Sequence, residues 1–102
     1  MSWIKVAGAA QIPTGHMMRV QVEDEDIALY HLDDGWYATS AICTHAYADL
    51  TTGRLQDAVV TCPKHGGQFN VKTGAAVKFP CVVALATYPV EVRGEDVFID
   101  FE

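Results

Sequence analysis

Apolar and polar positions alternate along much of the chain with a period near two. The stretches HMMRVQV (16–22) and IALYHL (27–32) are rich in β-formers, and the acidic run Glu23, Asp24, Glu25, Asp26 between them predicts a solvated hairpin turn. DDG (33–35) separates ALYHL from WYATSAI, and RGED (93–96) separates TYPVEV from VFIDF, which predicts two more hairpins. No stretch of 11 or more residues keeps an i, i+3, i+4, i+7 apolar stripe free of glycine, proline or a turn cluster, so long helices are not expected. Repeats and low-complexity segments are absent as well. The pattern predicts an all-β fold of many short strands, an antiparallel β-sandwich.

Between about residues 40 and 80 the pattern changes. Glycines at 53, 66, 67 and 74 and prolines at 63 and 80 punctuate shorter apolar runs. This segment is expected to form a small subdomain inserted into the sandwich, within a single domain spanning 1–102.

A chain of 102 residues with 50% apolar content can bury one core, yet is small enough to gain from an extra staple. Thirteen acidic residues against seven basic ones give a formal charge of −6, which disfavours nucleic acid and anionic membranes and suits a basic protein partner. The N-terminal stretch lacks the apolar run of a secretion signal, and nowhere are there the roughly 20 apolar residues of a membrane span. A cytoplasmic protein is expected. Three cysteines suit a disulfide framework poorly, and Cys81, within PCVVALA, reads as a buried apolar thiol.

The chemistry is concentrated in two mixed doublets. Cys43-x-His45 and Cys62-x-x-His65 lie with sixteen residues between His45 and Cys62. Ligands so close together on one loop can converge on one centre, and two loops side by side supply four. A structural zinc would take all four in one tetrahedron, but its usual spacing pairs like with like. Mixed doublets suit two irons, with one cysteine per loop on the inner iron and one histidine per loop on the outer.

On these doublets, and on GGQFNVKTG (66–74) and TYPVEVRGEDVFI near the end, the chain resembles Rieske [2Fe–2S] ferredoxins of bacterial aromatic-ring dioxygenase systems. The resemblance implies the Rieske fold and one [2Fe–2S] cluster per chain. Cys43 and Cys62 would hold one iron, His45 and His65 the other. It also implies a one-electron carrier, not an enzyme. The carrier would dock transiently, as a monomer, on a flavin-dependent ferredoxin reductase and on a terminal oxygenase whose Rieske centre takes the electron. The Rieske-like small subunit of an assimilatory nitrite reductase is an alternative, and a zinc-stabilised binding module another.

Histidine ligation has an electrostatic consequence. Two ferric ions and two sulfides leave a double positive charge that two thiolates cancel, so the oxidised site is neutral where an all-cysteine site is a dianion. An electron is then added more easily, and Rieske potentials lie at roughly −150 to +300 mV against about −400 mV for plant-type clusters.

Around the ligands, Pro63 is expected to stiffen the second loop, while Gly66 and Gly67 would let backbone N–H groups approach the sulfides. Pro80 corresponds to a proline of a loop that covers the cluster in the family. Tyr47 and Leu50 are candidates for an apolar collar, and Trp36 and Tyr37 for the core and rim of the strand leading to Cys43. His16 and His31 read as ordinary strand residues. Respiratory relatives carry two further cysteines and a serine where this chain has Ala48, Lys64 and Gly67. Without that disulfide and hydroxyl the potential is expected near the low end of the range.

Overall fold

A computed structural model describes residues 3–44 and 47–101. Eleven strands form three antiparallel sheets, and the only helical elements among these residues are single 3-10 turns at Ala9–Gln11 and Leu50–Thr52. In chain order the strands are β1 (Trp3–Gly8), β2 (His16–Val22), β3 (Glu25–Leu32), β4 (Gly35–Ser40), β5 (Arg54–Gln56), β6 (Val59–Thr61), β7 (Gln68–Asn70), β8 (Ala76–Lys78), β9 (Thr87–Tyr88), β10 (Val90–Arg93) and β11 (Asp96–Asp100). The sheets run β1-β11-β10, β2-β3-β4-β9 and β5-β6-β7-β8.

The second sheet is the centre of the molecule, and β3 is its clearest strand. Side chains alternate across a strand, so Ile27 and Leu29 point to one face and Ala28, Tyr30 and Leu32 to the other. Ile27 and Leu29 join Ala7, Val22, Val97 and Ile99 in a core against the first sheet. Ala28, Tyr30 and Leu32 join Leu50, Val60, Phe69, Val71 and Leu85 in a core against the third. Burial on both faces explains why 27–30 is a continuous apolar run. Tyr30 is fully buried, and its hydroxyl donates to Thr39 Oγ1 (2.9 Å), which donates to the Ser40 carbonyl (2.8 Å). Burial pushes the Tyr30 phenol up to about 12.

Strands β2, β3 and β4 and the hairpin β10–β11 lie where the alternation predicts them. Three local readings differ. The β2–β3 turn is only Glu23 and Asp24, at φ 48° and 75°, and Glu25 and Asp26 already belong to β3. Two positive φ angles make the turn whose twist matches a hairpin. The stretch TYPVEV is two strands: β9 pairs with β4 in the central sheet, whereas β10 pairs with β11 in the first. Pro89 lies between them, and a residue with no N–H marks the step from one ladder to the other. Finally, the segment between residues 40 and 80 is better packed than its glycines and prolines suggest, since Leu50, Val60, Phe69 and Val71 are all buried.

Candidate metal centre

Beyond β4 the chain leaves the central sheet, and the Cys43 N–H donates to the Ala48 carbonyl (2.9 Å), closing a loop. The loop is anchored where the Leu50 N–H donates to the Ala41 carbonyl (2.8 Å) and Asp49 Oδ2 meets Arg19 Nη1 (3.1 Å). A second loop follows β6. There the Cys62 N–H donates to the Gly67 carbonyl (2.8 Å) and the Gly66 N–H to the Cys62 carbonyl (3.2 Å). Gly66 adopts φ 74°, where a side chain would be strained. Its N–H is spent inside the turn, on the Cys62 carbonyl.

Cys43 and Cys62 are buried, whereas Pro63, Lys64 and His65 are exposed. The two thiols, nineteen positions apart, interact at the base of the loops. Burial pushes the Cys62 thiol up, and the backbone N–H groups of Lys64 and His65, which bond its sulfur, act in the opposite direction. Those N–H groups would favour a thiolate, the form that binds iron. Of the four expected ligands, Cys43, Cys62 and His65 are thus placed on two adjoining loops, and His45 lies outside the described residues. Among the described residues, no three His, Cys, Asp or Glu side chains are arranged to hold a metal ion by themselves. By chemistry the donors fit a cluster: two thiols form a buried floor, and the adjacent imidazole reaches the surface.

A third loop, residues 79–83, completes the tip. Thr44 Oγ1 donates to the Val83 carbonyl (2.6 Å), tying this loop to the first. Cys81 turns inward, with its Sγ 3.6 Å from Cys43 Sγ. It is buried as expected, in the same apolar core as Cys43 and Cys62. Burial and the proximity of Cys43 push its thiol up to about 12. A Cβ on Gly67 would lie 2.3 Å from Cys81 Sγ, so glycine here makes room for that sulfur.

The surface of the tip is apolar. Tyr47 (92% exposed), Phe79 (80%), Val82 (72%) and Val83 (60%) present their side chains to solvent. Of the two residues expected to form a collar, Tyr47 and Leu50, the first is exposed. Leu50 is fully buried beneath the first loop, and the 79–83 loop takes its place. Phe79, Val82 and Val83 were legible only as an apolar run beside Pro80. Lys64 on the second loop and Lys78 at the end of β8 are exposed, whereas Asp49 at the foot of the first loop is paired with Arg19. Away from the tip, His31 stacks on Trp36 at 3.9 Å and its Nδ1 bonds the Ile12 carbonyl (2.7 Å), a structural role. No helix among the described residues is long and apolar enough to cross a membrane.

Comparison with known proteins agrees with this geometry. The Rieske [2Fe-2S] domain model matches residues 2–89. The ferredoxin component of a naphthalene 1,2-dioxygenase system from Pseudomonas aeruginosa is 39% identical over 98 residues, covering 96% of this chain and 94% of that protein. The Sphingomonas yanoikuyae B1 ferredoxin superposes with a TM-score of 0.93 at 34% identity, over 99% of this chain and all of the other. The structure described as a complex of reduced oxygenase and oxidized ferredoxin in carbazole 1,9a-dioxygenase contains a chain with a TM-score of 0.89 and 41% identity, covering 95% of this chain and 91% of that one. With matches of this identity and extent, set beside the paired thiols and the exposed imidazole, the chain belongs to the Rieske [2Fe–2S] family as one of its electron-carrying ferredoxins.

Proposed function

We propose that this ferredoxin takes one electron from a flavin-dependent ferredoxin reductase and delivers it to the Rieske centre of a terminal aromatic-ring dioxygenase, working as a cytoplasmic monomer. One [2Fe–2S] cluster per chain, held by Cys43, His45, Cys62 and His65, supplies the one-electron couple. The observation that carries this reading is the meeting of the buried Cys43 and Cys62 beside the exposed His65. The chain's own part is to keep water from the sulfurs, to direct the Lys64 and His65 N–H groups at Cys62, and to leave the imidazole edge within reach of a partner.

Docking falls naturally on the same tip. The whole-chain charge of −6 suggested a basic partner, but the exposed charges at and beside the tip loops are Lys64 and Lys78, while the carboxylate of the first loop, Asp49, is paired with Arg19. An apolar patch of Tyr47, Phe79, Val82 and Val83 with two lysines suits an oxygenase face that is apolar and bears carboxylates. Transient electron-transfer contacts of this kind are small, below about 1,200 Å².

Iron and acid-labile sulfide analysis tests the ligand set. The purified brown protein should contain both in equal amounts. Cys62→Ser should abolish or alter the visible spectrum, while Cys81→Ser keeps it. A Cys81→Ser protein without iron would refute the assignment, and colourless parent protein holding one zinc would replace the carrier with a zinc-stabilised module.

A further inference from the structure

The loop that presents Phe79, Val82 and Val83 to solvent turns one side chain the other way. Cys81 Sγ reaches Cys43 Sγ at 3.6 Å across 38 positions of sequence, and both residues are almost wholly buried. Three contacts hold the thiol there. The Cys81 N–H donates to the Lys78 carbonyl (3.2 Å), Thr44 Oγ1 grips Val83 (2.6 Å), and the Leu85 N–H donates to the Gly74 carbonyl (2.8 Å). Gly67 closes the other side. An added Cβ would meet Cys81 Sγ at 2.3 Å, Cys81 Cβ at 3.1 Å and the Cys81 nitrogen at 3.1 Å, so the sulfur fills a hollow that only glycine leaves open.

We propose that Cys81 is a positioning residue that raises the reduction potential of the site by donating its S–H to the Cys43 sulfur. The proposal rests on the ligand assignment above. As an iron ligand, Cys43 is a thiolate with lone pairs and no proton, so in this sulfur–sulfur contact only Cys81 can donate. A hydrogen bond to a ligand sulfur draws electron density from it and lowers the cost of an added electron. A mere filler of the hollow would be replaceable by any side chain of the same bulk.

Film voltammetry of the loaded protein, with iron and sulfide analysis of each sample, separates these roles in Cys81→Ala, Cys81→Val and Cys81→Ser. The expected result is full iron and sulfide in all three. Alanine and valine should lower the reduction equilibrium constant about tenfold, which is 59 mV for a one-electron couple. Serine, which still donates, should stay at or above the parent potential. Alanine and valine reduction equilibrium constants within twofold of the parent's would overturn the proposal, as would a serine potential that falls with theirs. Loss of iron from all three variants would also overturn it, by making Cys81 a ligand or an indispensable packing group. A parent protein without iron and sulfide would instead defeat the carrier reading, and this inference with it.

Discussion

The central strand β3 and the tip loops spend their apolar residues in opposite ways. In β3, residues 27–30 are fully buried, divided between two cores by simple alternation. At the tip, Phe79, Val82 and Val83 are as apolar and lie largely in water, while the neighbouring buried side chains are thiols. A strand buried on both faces contributes stability with every residue. On the proposed function, a loop that brings a redox centre to a partner cannot hide its apolar surface, and its burial would be completed only on docking.

Substitutions in the two regions should therefore separate stability from transfer. The largest stability loss is expected at Phe69, fully buried between the central and third sheets: Phe69→Ala should cost about 3–5 kcal/mol in urea unfolding, because a large hole opens where the layers meet. If the loss were below about 1 kcal/mol, the third sheet would not depend on that core.

Gly67→Ala is expected to follow, at about 1–3 kcal/mol, since the new methyl overlaps Cys81 Sγ. Combining it with Cys81→Ala removes the overlapping sulfur and should recover part of the loss. Equal stability of the single and double variants would show that the backbone, not the thiol, blocks the site.

Tyr30 supplies a pH-dependent effect. Its hydroxyl holds a proton up to about 12 in the fold against an ordinary value near 10, so its contribution is fully present below pH 10 and fades as pH rises through 12. Two units correspond to about 2–3 kcal/mol at most. Tyr30→Phe should be about 1 kcal/mol less stable than the parent at pH 8, through the lost bond to Thr39, and should close or reverse that gap by pH 12. A gap independent of pH would mean that the phenol is not shielded from water.

Phe79→Ser should change stability least, within about 0.5 kcal/mol, because the ring is 80% exposed. It should nonetheless slow electron delivery to the oxygenase, as should Lys64→Glu, and added salt should weaken the lysine's share as the Debye length falls from about 10 Å at 0.1 M to about 3 Å at 1 M. Unchanged delivery by both variants would move the docking face away from the tip. For the couple itself, a potential near about −150 mV is expected, level at neutral pH and falling in the alkaline range once the oxidised form loses an imidazole proton that the reduced form keeps. A value above about +100 mV would contradict the low-potential assignment.

The sequence by itself determined whatever depends on neighbouring residues. Alternation located β2, β3 and β4, turn chemistry located their hairpins, and the spacing of Cys43-x-His45 and Cys62-x-x-His65 pointed to two ligand loops. Tertiary structure decided what depends on residues far apart in the chain. Hydropathy gives the same apolar reading to Leu50, buried under the first loop, and to Phe79, exposed on the third, because it measures a side chain's preference and not whether another layer is there to cover it. In the same way Pro89 showed a break but not a change of sheet, which needs β4 and β11 as separate partners. Cys81 looked like a solitary buried thiol until the fold brought the loop after β8 against the loop after β4, and set its sulfur beside Cys43 in the space that Gly67 leaves open.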